Sequence, residues 1–266
     1  MNANIYQHFR PAERPLIDQL SGVVAQAESE YRPVTTHFLD PRAQYILQTL
    51  VGGSTVKVAF SGGYSGAERC RAIVFPDYFS PENADFAITP LTIRYPVKFA
   101  TLAHRQVLGT LVNSGIERDV LGDIISDGTT WQFMCERGIA AYLQAQVERI
   151  GPVKVNLVPA TAVIRPQNDW QPMRITVASV RLDAIIAAVF NFSRQRAKEV
   201  LSCQYVRVNW SVVDQGDYSV AEYDIISVRR AGRFRITRVA PERTKKGKLR
   251  VSGEVIHSRR RACFSS

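Results

Sequence analysis

Helix-spaced and strand-spaced apolar stretches interleave along this chain, and that interleaving constrains its fold more than any other feature. Leu16, Ile17, Leu20, Val23, Val24 and Ala27 recur at helical spacing. Asp40-Pro41 reads as an N-cap followed by a proline at the first helical position. The helix after it would bury Tyr45, Ile46 and Leu50 and end at Gly52-Gly53. Val56, Val58 and Phe60 then alternate as in a strand, and RCRAIVFP (69–76) and AITPLTIRYP (87–96) read as further strands. Residues 1–97 are therefore expected to form one α+β domain.

A second unit follows. Leu108, Leu111 and Val112 mark one helix face, Gly115 breaks it, and 117–121 reads as a short second helix. Trp131, Phe133 and Cys135 alternate as a strand; Ile139, Tyr142, Leu143 and Ile150 give another helix face; Val153, Val155 and Leu157 alternate again. Residues 98–178 are expected as a middle α+β domain that ends in a polar, proline-flanked linker, RPQNDWQP (165–172). No internal repeat or low-complexity segment is visible.

At 45% hydrophobic and 22% charged, the 266 residues can bury sizeable cores, which excludes wholesale disorder. No apolar run approaches the roughly 18–20 residues of a membrane span, and the N-terminus has no signal-type stretch, so a cytoplasmic protein is expected. The net charge of +10 is unevenly placed. Residues 1–180 hold 16 Lys+Arg and 16 Asp+Glu, whereas 181–266 hold 18 and 8. A local cationic block points to an anionic partner, nucleic acid or an acidic membrane surface. Cys70, Cys135, Cys203 and Cys263 lack CxxC spacing and read as buried free thiols. With His8, His37, His104 and His257 scattered, no metal site and no cofactor are expected.

The cationic block has an internal order. Leu182, Ile185, Ile186, Val189 and Phe190 make a short amphipathic helix. Ser193 sits at the N-cap of the next, which would bury Ala197, Val200 and Leu201 and place Arg194 and Lys198 on one face. A strand follows with Val206 and Val208 inward and Tyr205, Arg207 and Asn209 outward; a later strand, 225–228, leads into Arg229, Arg230, Arg233 and Arg235.

These residues resemble the RNA-binding module named after ribosomal small-subunit protein four, the S-four domain. The matching positions are Arg181-Leu182-Asp183, Ser193-Arg194 with Ala197, Val206-Arg207-Val208-Asn209, and Tyr223-Asp224. Glycines usual in that pattern are replaced by Gln204, Trp210 and Tyr223, so the turns are expected to differ locally. FSGGYSGAERCRAIVFPDY (60–78), HRQVLGTLVNSGIERDVLGDI (104–124) and ISVRRAGRFRI with TKKGKLRV are similar to motifs of one bacterial family, the YlmH-type proteins, with Gln106 and Arg230 as departures. The resemblance implies two small N-terminal α+β domains, an S-four-like module at 179–240 and a basic C-terminal extension at 241–266. It also implies structured RNA as partner: ribosomal RNA and tRNA, on ribosomes or stalled large ribosomal subunits. The family's name adds a division-site protein as a further kind of partner.

The residue chemistry agrees with RNA. Helix N-termini favour phosphate, and arginine grips phosphate oxygens bidentately. The pattern lacks the aromatic pair of a single-strand stacking platform and fits shape recognition of folded RNA. The expected RNA-binding residues are Arg181, Ser193, Arg194, Arg196, Lys198, Arg207 and Asn209, with Ser193 and Asn209 organising the surface. Arg229, Arg230, Arg233, Lys245, Lys246 and Lys248 come second. The tail Arg259-Arg260-Arg261 would add counterion release.

Other readings stay weaker. Gly62-Gly63-Tyr64-Ser65-Gly66 lacks the Gly-Lys-Ser/Thr of a nucleotide loop and reads as a hairpin. Arg181-Leu182-Asp183 resembles the catalytic motif of a class of pseudouridine synthases, but Ala184-Ile185-Ile186 continues it as helix core. The HIGH-type and KMSKS-type motifs of a tyrosyl-tRNA synthetase are absent. No catalytic residue is expected. The alternatives are an RNA-modifying enzyme with its site in 1–165 and a membrane-surface or division-site adaptor using the basic tail.

Overall fold

The computed structural model describes residues 9–166, 170–244 and 247–257. The chain divides into two compact units, with the boundary between residues 167 and 168.

The first unit begins with α1 (Arg14–Glu30), β1 (Val34–Leu39), α2 (Pro41–Val51), β2 (Lys57–Ser61) and β3 (Cys70–Phe75). The strands form an antiparallel sheet in the order β1-β3-β2. Ile17, Leu20, Val24 and Ala27 of α1 and Ile46, Leu47 and Leu50 of α2 pack against Ala72 and Val74 of β3. Asp40 caps α2 as expected, its side chain accepting the Ala43 N–H at 2.8 Å.

The unit continues with β4 (Ile88–Arg94), α3 (His104–Asn113), β5 (Leu121–Ser126), β6 (Trp131–Glu136), α4 (Arg137–Gln146), β7 (Arg149–Ile150), β8 (Val153–Lys154) and β9 (Asn156–Pro159). A four-stranded sheet runs β5-β6-β4-β9, and β7 pairs with β8. Leu91, Ile93, Val107, Leu111, Phe133, Leu143 and Leu157 form its core.

This sheet corrects the domain boundary placed at residue 97. Strand 88–94 pairs with β6 and β9, not with the first sheet. A strand's own pattern shows which face is buried and is silent on its partner. Of this unit's strands, β1, β5 and β7 escaped the sequence reading. Ile150 lies in β7 rather than on a helix face, and Tyr142 of α4 is exposed.

The hairpin expected at 62–66 is present between β2 and β3. Its glycines answer a packing need. A Cβ on Gly62 would lie 2.2 Å from Ala67 Cβ and 2.6 Å from the Arg69 carbonyl, and Gly63 has φ +86°. The loop docks on β5, where the Asp123 carboxylate accepts from Tyr64 Oη at 2.8 Å and from the N–H groups of Glu68 and Arg69 at 2.7 and 3.2 Å. Arg69 also donates to the carbonyls of Leu121 and Phe38. The motif thus joins the two sheets of this unit. Burial, and then the charge of Glu68, raise the Asp123 pKa against the lowering effect of these hydrogen bonds.

The second unit holds β10 (Gln171–Val177), α5 (Leu182–Phe190), α6 (Arg194–Ser202), β11 (Val206–Val208), β12 (Ser211–Val212), β13 (Ile225–Val228), β14 (Gly232–Arg243) and β15 (Leu249–His257). One antiparallel sheet runs β10-β15-β14-β13-β11-β12. Helices α5 and α6 cover one face through Leu182, Ile185, Ile186, Val189, Ala197, Val200 and Leu201, which meet Val206, Val208, Ile226, Phe234 and Val251. Each fully buried Ile or Leu contributes about 1.5–3 kcal/mol.

Here too the limits 179–240 and 241–266 are corrected. β10 and β15 belong to the same sheet, and β15 is an interior strand between β10 and β14. Thr244, Gly247 and Lys248 lie at the turn between β14 and β15, with the Thr244 N–H bonded to the Lys248 carbonyl at 2.7 Å. Among the described residues, no helix is long and apolar enough to cross a membrane.

Candidate nucleic-acid interface

The starts of α5 and α6 meet at one buried carboxylate. Asp183 is 1% exposed. Arg181, the N-cap of α5, donates to it from Nε at 3.2 Å and Nη2 at 3.0 Å. Arg194, the first residue of α6, approaches the same carboxylate at 3.5 Å. Burial works to raise the Asp183 pKa, but the Arg181 hydrogen bonds, the charges of Arg181 and Arg194 and the Ala184 N–H outweigh it and lower it. The Arg181 and Arg194 side chains stay 46% and 60% exposed, so both guanidinium groups reach solvent while anchored at one point.

The remaining helix residues are arranged around this fork. Ser193 caps α6, its Oγ accepting the Arg196 N–H at 3.0 Å. Arg196 pairs with Glu199 at 3.0 Å. Lys198 is exposed, one turn along from Arg194. One expectation needs correction. The N-terminus of α5 is not open to phosphate through its N–H groups, because Leu182 and Asp183 donate to the carbonyls of Tyr218 and Gly216. The side chains, not the backbone, present positive charge there.

Asn209 has an organising role. Its Nδ2 donates to Asp224 Oδ1 at 2.9 Å, and its Oδ1 accepts the Ile225 N–H at 2.9 Å. Asp224 is fully buried and also accepts the Ala221 N–H. The turns at the replaced glycines are left-handed. Gln204, Trp210, Tyr223 and Arg230 have φ of +57°, +67°, +68° and +65°. A non-glycine side chain is thus carried in left-handed backbone at each replaced position, at a steric cost.

Arg207 and the second group of expected residues lie elsewhere. Arg207 and Arg233 project from the sheet face opposite the helices, each paired in register with Ser227 of β13. Arg229 lies over the Tyr205 ring at 5.0 Å. Arg230 and Lys248 are exposed at turns. Lys245, Lys246 and Arg259–Arg261 lie outside the described residues. The sequence reading passed over Trp170, whose ring is engaged by Arg233 at 5.4 Å and Arg235 at 4.7 Å. The alternation Arg233, Phe234, Arg235, Ile236 was the signal that could have found this face.

Cys70 and Cys135 are buried, and burial pushes each thiol up to about 12, away from the thiolate a nucleophile needs. Cys203 is exposed, contrary to the expectation of burial, and Cys263 lies outside the described residues. Among the described residues, no three His, Cys, Asp or Glu side chains gather as a metal site.

Comparison with known proteins now defines the class. Residues 12–79 match a family model described as "YlmH, N-terminal", and residues 81–162 one described as "Putative RNA-binding domain in YlmH". The chain is 40% identical over 254 residues to "Ribosome-associated protein quality control protein P2" of Bacillus subtilis (strain 168), covering 95% of this chain and 98% of that protein. A solved structure, "Cell division protein ylmH from Streptococcus pneumoniae", is 34% identical with a TM-score of 0.52, covering 58% of this chain and 94% of its own. The class is thus an α+β protein whose residues 81–162 match that RNA-binding-domain model. The chain belongs to the YlmH family.

Proposed function

We propose that this chain is a non-catalytic RNA-binding protein of the cytoplasm that recognises structured RNA on ribosomes or large ribosomal subunits. Its partners on this reading are ribosomal RNA and tRNA held beside it. The observation that carries the proposal is the fork at Asp183, which gathers Arg181 and Arg194 at adjoining helix starts with Lys198 one turn further on. Two guanidinium groups held at a common anchor lose less freedom on gripping phosphate than free side chains do. The ribosome-associated name of the Bacillus relative and the description of the 81–162 family model support the same reading.

The test is ribosome co-sedimentation and RNA binding by an Arg194→Ala/Lys198→Ala variant of the full chain. The expected result is weaker binding with a shallower salt dependence and an unchanged melting temperature. Unchanged co-sedimentation would overturn the proposal.

A further inference from the structure

The second unit has two sides, and only one is covered by helices. Val206, Val208, Ile226, Phe234, Val251 and Ile175 face α5 and α6. The alternate residues of the same strands face away, since side chains alternate across a sheet. Strand register places Arg207, Arg233, Arg235, Arg238, Arg174 and Arg250 on that open face. They stand in rows: Arg207–Ser227–Arg233, and Arg238–Ser252–Arg174, with Arg250 two residues along β15 from Ser252. Arg238 and Arg174 are two strands apart, roughly 10 Å, and Arg250 is about 7 Å along the strand from that row. Among the paired strand residues on this face, Glu254 is the one acidic side chain, and it is paired with Arg235. Arg174, Arg207, Arg238 and Arg250 are exposed. A shallow hollow beside them, at the bulge between Ile236 and Arg238, is lined by Pro172, Arg174, Thr237, Ser252 and Glu254 among others.

We propose that this open face is a second RNA-binding surface, which takes the phosphate backbone of a double-helical RNA segment while the helix side holds another part of the RNA. It rests on the reading above that the protein binds RNA. All six cations are arginines, the side chain suited to bidentate phosphate contact. Arg233 and Arg235 are braced against Trp170, which commits that ring to the guanidinium groups instead of to a base. Without a free stacking platform, the face suits backbone contact by charge and shape, the mode by which double-stranded RNA is recognised.

The experiment compares the full chain with Arg174→Gln/Arg238→Gln/Arg250→Gln and with Arg194→Ala/Lys198→Ala, using fluorescence anisotropy from 50 to 200 mM KCl. The probes are a 20-base-pair RNA duplex and a 20-nucleotide oligo(U). The expected result is that the triple variant melts like the parent and loses about 2–3 from its log–log salt slope on the duplex, with a smaller loss on oligo(U). Arg174→Gln alone, expected to lose about 0.9, serves if the triple variant fails to fold. A folded triple variant with the full duplex slope, beside a helix-side variant that has lost affinity, would overturn this inference and leave the function standing. A larger loss on oligo(U) than on duplex would overturn the assignment to double-helical RNA. Failure of the parent to bind either probe would remove the function itself.

Discussion

Arg181 donates twice to the buried carboxylate of Asp183, at 3.2 and 3.0 Å, from a side chain that is itself 46% exposed. The pair therefore has a structural end and a solvent end. Asp183 also ties α5 to the loop at Gly216, where a Cβ would sit 3.4 Å from its own Cβ.

Asp183→Asn keeps the size and removes the charge. The Asp183 pKa is lowered in the fold, so the stability it contributes is present above its ordinary value of 3.8 and is lost as the pH falls below that value. The acid limb of the stability–pH profile is expected to flatten in the variant. At neutral pH RNA affinity is expected to fall severalfold although every arginine remains. Wild-type affinity in a folded Asp183→Asn protein would show that the anchor has no part in binding.

Gln204 and Arg230 are exposed and hold left-handed φ of +57° and +65°. The left-handed conformation costs a non-glycine residue roughly 1–2 kcal/mol, partly offset by the entropy that glycine loses on folding. Gln204→Gly and Arg230→Gly are each expected to stabilise the protein by about 0.5–1 kcal/mol, read as a higher denaturant midpoint at constant slope. A lower midpoint would mean that these side chains make contacts worth more than the strain.

The thiols should separate by exposure. In a Cys263→Ser background, native protein is expected to label once with iodoacetamide at neutral pH, at Cys203, and at all three remaining thiols once unfolded. Peptide mass mapping reads the result. Rapid native labelling of Cys70 or Cys135 would contradict their burial.

Glu13 joins α1 to α2. It accepts from Arg42 Nε at 2.9 Å and Nη2 at 3.0 Å and from the Arg10 N–H at 3.0 Å. Burial opposes ionisation, yet the Arg42 and Arg10 hydrogen bonds lower its pKa from 4.5 to about 2. The contribution is therefore complete above pH 4.5 and is lost as the pH falls towards 2. Glu13→Gln is expected to cost on the order of 2–3 kcal/mol at pH 7 and little at pH 2, measured by urea unfolding. An equal cost at both pH values would assign the loss to shape rather than charge.

Much of the local structure was legible in the residues. The α1 face, the Asp40 cap, the 62–66 hairpin, the cap at Ser193 and the inward Val206 and Val208 follow from spacing and side-chain chemistry alone. These features are decided within a few residues, and propensity and periodicity report on that range. The charge split was legible for the same reason, since it needs only counting. Strand 88–94 was legible as a strand but not as a member of the second sheet, because partner choice depends on chain segments 38–48 and 62–68 residues away.

The site divides along the same line. That Arg181, Arg194 and Lys198 sit on helices was set by sequence spacing. That Arg181 and Arg194 share a buried anchor, that the α5 N–H groups are taken by residues 216 and 218, and that Arg174 and Arg250 join Arg207 and Arg233 on one open face were decided only by tertiary packing. The glycine replacements show why. Local preference favours abandoning the left-handed turns at Gln204, Trp210, Tyr223 and Arg230, yet the sheet pairing and the Asn209–Asp224 pair hold the backbone there. Local chemistry determined which elements form, and long-range hydrogen bonding and burial, far larger in sum than one turn's strain, determined how they pair and what face they show.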